Sequence, residues 1–156
     1  MKKLLILVLT LILLIPAARA DSLNVLYDLG QDAMTVYGTY YWLEYDNSYD
    51  YECWYSDIGG IYFDVDPSTQ KVVRATLSGS PSLFHIEYVS LNMTEQEVLN
   101  AWRASPVFSN VSAGSYSNGT RYITADAYTF VRMHLWVNFT NGCSTTVVAE
   151  LDGYED

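Results

Sequence analysis

Two histidines, two cysteines and a surplus of carboxylates are the residues of this 156-residue chain with the types to do chemistry. A nucleophile–base pair needs a serine or cysteine held beside an imidazole. His85 and His134 lie in no Gly-x-Ser-x-Gly elbow, and neither has a second metal-type ligand three or four residues away. His134, between Arg132 and Trp136, reads as a partly exposed strand residue, and His85 as structural. Asp64 and Asp66, beside Tyr62, offer the paired carboxylates of glycoside chemistry. Placed at a strand end before Pro67, they read instead as turn and solubility residues. Asp46, Ser48, Asp50 and Glu52 alternate like the start of a calcium loop, but the sixth and twelfth positions hold Tyr51 and Asp57 where Gly and Glu are needed. The expectation is a protein without catalytic residues, cofactor or metal.

Binding chemistry is better represented. Tyr37–Tyr62 holds eight of the fourteen tyrosines together with Trp42 and Trp54. Tyrosine and tryptophan supply large, stiff contact area with a polar tip, which is why they dominate interface hot spots. The candidate surface is Tyr40, Tyr41, Trp42, Tyr45, Tyr49, Tyr51 and Trp54 with the acids Glu44, Asp46 and Asp50. The competing reading makes the alternate rings inward-facing core, since a strand sends successive side chains to opposite faces.

Charge points the same way. The chain carries −10 overall, and between Asp21 and Gln70 there are ten acids and no Lys or Arg. Such a field repels nucleic-acid phosphates and attracts cations. The expected partner is a protein with a basic surface. A saccharide is the alternative, with rings stacking on sugar faces and carboxylates accepting from hydroxyls.

Met1–Ala20 has the form of a secretory signal: Lys2 and Lys3, an apolar run over Leu4–Ile15, then Ala18-Arg19-Ala20. Its twelve residues, apolar but for Thr10, would span roughly 18 Å, short of a roughly 30 Å hydrocarbon core. The expected product is Asp21–Asp156, extracytoplasmic and without a membrane insertion, with five basic residues against 18 acids and a net charge of −13. In that setting Cys53 and Cys143 are expected to form a disulfide, with two buried thiols as the alternative. Asn92, Asn110, Asn118 and Asn138 each open an Asn-x-Ser/Thr acceptor sequence.

The elements that would position these residues are legible in two stretches. Thr94 with Glu97 is a capping box, Met93 and Val98 have staple spacing, and Ser105-Pro106 ends the helix. Arg121–Ala125 reads as a short strand, and Thr129–Thr140 as a long one with Val131, Met133, Leu135, Val137 and Phe139 on one face. Asn141-Gly142 supplies a type I′ turn before a strand over Ser144–Leu151. The Ser109–Thr120 segment, rich in Ser, Gly and Asn, reads as a loop. The first half shows the same order: Asp32 as N-cap, strands over Glu52–Tyr55 and Gly60–Asp66, a turn from Asp66, and a strand over Lys71–Ser78. Leu29-Gly30-Gln31-Asp32 aligns with Leu91-Asn92-Met93-Thr94. The expected fold is one α+β domain over 21–156. In it two similar units of one helix plus an antiparallel meander, about 23–80 and 83–152, share a core.

Leu91-Asn92-Met93-Thr94-Glu95-Gln96-Glu97-Val98-Leu99, followed by a Pro, a loop, a long strand, a turn and Val147-Val148, resembles the repeat of β-lactamase-inhibitor-protein-like folds and of YjgB-like secreted bacterial proteins. Such repeats usually carry Gly before the Met, where this chain has Asn92. The resemblance spans most of Leu29–Leu151 and implies a binding or inhibitory scaffold with ligand contacts on its sheet.

Overall fold

The computed structural model describes residues 23–40, 42–46, 52–56, 60–79 and 83–154, with backbone only at 52–56. Met1–Ala20, the expected signal, lies outside them. After a short strand β1 (Leu23–Asn24) and a 3-10 turn come helix α1 (Ala33–Thr39) and strands β2 (Glu44–Asp46), β3 (Glu52–Ser56), β4 (Ile61–Asp66) and β5 (Lys71–Ser78). Strand β6 (Phe84–His85) leads to helix α2 (Glu95–Ala104) and strands β7 (Phe108–Ser115), β8 (Arg121–Tyr128), β9 (Arg132–Thr140) and β10 (Cys143–Leu151).

Among the described residues, eight strands make one antiparallel sheet in the order β2-β3-β4-β5-β10-β9-β8-β7. The last strands of the two halves, β5 and β10, meet at its centre, from Arg74 opposite Glu150 to Ser78 opposite Thr146. The fold is therefore α+β as expected, although β1 and β6 form a separate parallel pair. The Ser109–Thr120 segment corrects the loop reading. Most of it is the terminal strand β7, mostly solvent-accessible, and so it lacks the apolar alternation that marks a strand with a buried face.

Each helix begins where its sequence signals demand. Thr94 accepts from Glu97 N while the Glu97 carboxylate accepts from Thr94 N at 2.8 Å, a closed capping box. Asp32 caps α1 by accepting from Thr35 N. The residues leading into both helices are also clipped to the sheet. Asn92 N donates to Ser144 O and Ser144 N to Met93 O; in the first half Gly30 N donates to Val72 O and Val72 N to Gln31 O. Asn92 and Gly30 both have left-handed backbone, with φ of 64° and 80°. At Asn141-Gly142 both residues have positive φ, as a type I′ turn requires.

Alternation then divides the sheet into two faces. Ile61, Phe63, Ala75, Leu77, Ile123, Leu135, Val137, Val147 and Ala149 are buried in the core with Val36, Val98 and Trp102 of the helices. The opposite face bears polar, charged and aromatic side chains and is not covered by either helix.

Candidate binding surfaces

The sheet's register lays a line of charged and hydrogen-bonding side chains across its outer face. Asp64 on β4 stands opposite Arg74 on β5, Arg74 opposite Glu150 on β10, Glu150 opposite His134 on β9, and His134 opposite Asp126 on β8. Arg74 pairs with Asp64 at 3.3 Å and, more closely, with Glu150. The pair is largely shielded from solvent, so screening there is weaker than at an open surface.

At the far end of that line His134 is held from both sides. Its Nδ1 lies 2.7 Å from Asp126 Oδ1 and its Nε2 3.2 Å from Asp152 Oδ1. Asn110 Nδ2 donates to the other Asp126 oxygen at 2.6 Å. That bond, with His134 adding to it against partial desolvation, keeps the Asp126 carboxyl below its usual range. With a carboxylate at each ring nitrogen, His134 has no nitrogen directed at a hydroxyl, so the link a serine nucleophile needs is not formed here. The outer surface beside His134 sinks into a depression of about 600 Å³ lined by Ser109, Tyr128, Arg132 and Asp152 among others. A second, of about 410 Å³, adjoins it at Asp126 and His134 and is lined by Asn110, Ser112, Thr124 and Trp136.

The carboxylate pair of Asp64 and Asp66 is not assembled. Asp64 turns to Arg74, whereas Asp66 caps its own turn, accepting from Ser68 N at 2.8 Å, Ser68 Oγ at 2.7 Å and Thr69 Oγ1 at 2.8 Å. The Ser68 hydroxyl first, then that of Thr69, holds the Asp66 carboxyl below its ordinary value. Among the described residues no group of His, Cys, Asp and Glu forms a metal-type cluster.

The Tyr/Trp-rich segment divides. Tyr40 is core: only 4% exposed, it stacks on Phe63 with centroids 5.9 Å apart and meets Phe84 edge-on at 5.5 Å. Its placement at the end of α1, over the sheet, overturns its expected role in an exposed patch. Trp42 and Tyr45 are open, at 44% and 49% exposure, and Glu44 is exposed beside them. Glu44 and Asp46 share the outer face in register with Tyr62 and Asp64, whereas Tyr45 falls in the row of Phe63. Trp54 and Cys53 lie on β3, and Tyr41, Tyr49, Asp50 and Tyr51 lie outside the described residues.

The two cysteines stand on separate strands, Cys53 on β3 and Cys143 on β10. Cys143 is a free thiol. Across the sheet Cys53 falls in the row that reaches β10 at Glu150, not at Cys143, and β4 and β5 stand between the two strands. Three strand spacings are roughly 14 Å, against roughly 4–7 Å between the Cα atoms of a bridged pair.

The four acceptor asparagines differ in their engagement. Asn118 is exposed in the β7–β8 turn, where its Oδ1 accepts from Thr120 N, and Asn92 is exposed just before α2. Asn110 is bonded to Asp126, and Asn138 Oδ1 accepts from Tyr116 Oη at 3.2 Å. The His134 clamp was not legible as a site: its members come from β8, β9 and the residue just after β10, and only the register brings them together.

No family model, curated protein or solved structure matches this chain.

Proposed function

We propose that this protein is a secreted, non-enzymatic binding module of inhibitor-like character that engages a basic protein surface through the acidic, aromatic edge at β2. The observation that carries this reading is the exposure of two rings at one end of the sheet, Trp42 just before β2 and Tyr45 on it, close in sequence to the exposed Glu44. Exposed tyrosine and tryptophan rings bring stiff contact area whose desolvation anchors a complex. The surrounding stretch without a basic residue supplies long-range attraction for a cationic partner.

The two helix-plus-meander halves are further read as related repeats sharing one core, in keeping with the resemblance to inhibitor-protein-like folds. Their support is the matching clip at each helix start, with Gly30, Gln31 and Val72 in one half and Asn92, Met93 and Ser144 in the other.

The test is affinity capture of secreted basic proteins followed by stopped-flow association at low and high salt. Association is expected to slow about tenfold or more as salt rises, with dissociation little changed. Trp42→Ala, and likewise Tyr41→Ala, is expected to weaken binding about tenfold or more. Salt-independent association, or wild-type affinity in both variants, overturns the reading.

A further inference from the structure

The trough around His134 differs from the rest of the molecule in its charge balance. Asp126 and Asp152 share it with the cation Arg132 and the imidazole of His134, in a chain that is otherwise strongly acidic. A surface of small net charge, with both signs present, is a poor electrostatic match for a phosphate backbone or a strongly basic peptide. It selects by shape and hydrogen bonding.

Its groups are of one kind. The floor consists of hydroxyls, an amide, carboxylates and an imidazole, and neighbours hold these groups in place. Ser112 and Thr124 hydroxyls lie 3.1 Å apart, and Asn110, Asp126, His134 and Asp152 form a continuous bonded chain. Groups fixed in this way lose little conformational freedom when a ligand arrives. At either end stands a ring on the same face. Trp136 is half-buried on β9 opposite Thr124, and Tyr128 is 64% exposed on β8 opposite Arg132. The four-residue offset from Thr124 to Tyr128 separates the ends by roughly 13 Å. Arg132 has no ion pair or side-chain hydrogen bond among the described residues, so its guanidinium is available as a donor.

Two rings with a prearranged polar floor between them match a ligand that is a chain of polyhydroxylated rings, each with an apolar C–H face and a rim of hydroxyls. We propose that this trough, on the outer face of β7–β10, binds a short oligosaccharide, with Trp136 and Tyr128 as stacking platforms and Asp126, Asp152 and Arg132 as hydroxyl partners. It is a site separate from the β2 edge, and it stands or falls without it.

The test uses the purified protein on an array of chito-, xylo- and galacturono-oligosaccharides, with calorimetric titration of the strongest responder. Tyr128→Ala and Trp136→Ala are each expected to weaken binding about tenfold. Trp42→Ala should leave it unchanged, which separates this site from the protein-binding edge. Tyr128 is exposed enough that its variant should melt like the parent, so loss of binding there reports contact and not unfolding. If galacturonates lead the array, Arg132→Ala should abolish their advantage over neutral chains; if neutral chains lead, Asp152→Asn should weaken them. No saccharide above an unrelated-protein control, or binding untouched by Tyr128→Ala and Trp136→Ala together, overturns the proposal.

Discussion

Asp28 shows how one side chain makes this fold sensitive to pH. Its carboxylate accepts the Tyr40 hydroxyl at 2.9 Å in a partly desolvated position beside the core. Desolvation dominates over that hydrogen bond and pushes the carboxyl from an ordinary 3.8 to about 6. Burial first, and then the Asp28 charge, drives the Tyr40 phenol well above its usual range. Because the Asp28 value is raised on folding, the native state holds a proton that the unfolded chain has released between about pH 4 and pH 6. Stability is therefore greatest below pH 4 on this account and declines as pH rises through 6, by at most about 3 kcal/mol. Asp28→Asn, whose amide oxygen still accepts from Tyr40, is expected to remove that slope and to raise the urea midpoint at pH 7 while leaving it near parental at pH 4. A second residue-scale test is Gly30→Ala. A Cβ there would meet Val131 Cγ1 at 3.0 Å on backbone at φ 80°, so a loss of more than about 1 kcal/mol is expected in chemical denaturation.

At the scale of elements, the start of α2 and the charged line across the sheet carry separate expectations. Thr94→Ala and Glu97→Ala each remove half of a reciprocal cap, so each should lower stability by about 1 kcal/mol. The double variant should lose less than the sum, because the second change acts on an already open cap. Arg74 stands between Asp64 and Glu150 and ties β4, β5 and β10 together. Arg74→Ala leaves two shielded carboxylates without their guanidinium and should cost about 3 kcal/mol. Replacing all three by Met, Asn and Gln at 74, 64 and 150 should recover much of that loss in the same melts, since the desolvated charges go with the partner.

Across the described residues, two helices pack on one face of the sheet, and the two halves meet along β5 and β10. In the proposed function, the charge that attracts a basic partner comes from residues 21–70, which hold ten acids and no Lys or Arg. Salt should therefore affect association with such a partner far more than unfolding, because long-range steering is screened while the shielded Arg74 pairs are not. Parallel measurement of association rate and urea midpoint over one salt series checks this. A midpoint that falls as steeply as the rate would locate the charge effect in the fold instead.

Local signals were readable in the chain itself: the Thr94–Glu97 cap, the Asn141-Gly142 turn, Asp32 before α1, and the alternation from Met133 to Phe139. Each rests on interactions within a few residues, where type and spacing determine geometry. The bounds of β5 were legible for the same reason, and β7 was not, because an edge strand has little buried surface to impose a pattern. What tertiary structure alone decided was neighbourhood. Tyr40 went to the core because the end of α1 sits over Phe63 and Phe84, a fact no spacing within Tyr37–Tyr62 expresses. Asp126, His134 and Asp152 met because antiparallel register, a long-range property, lines up residues that lie far apart along the chain.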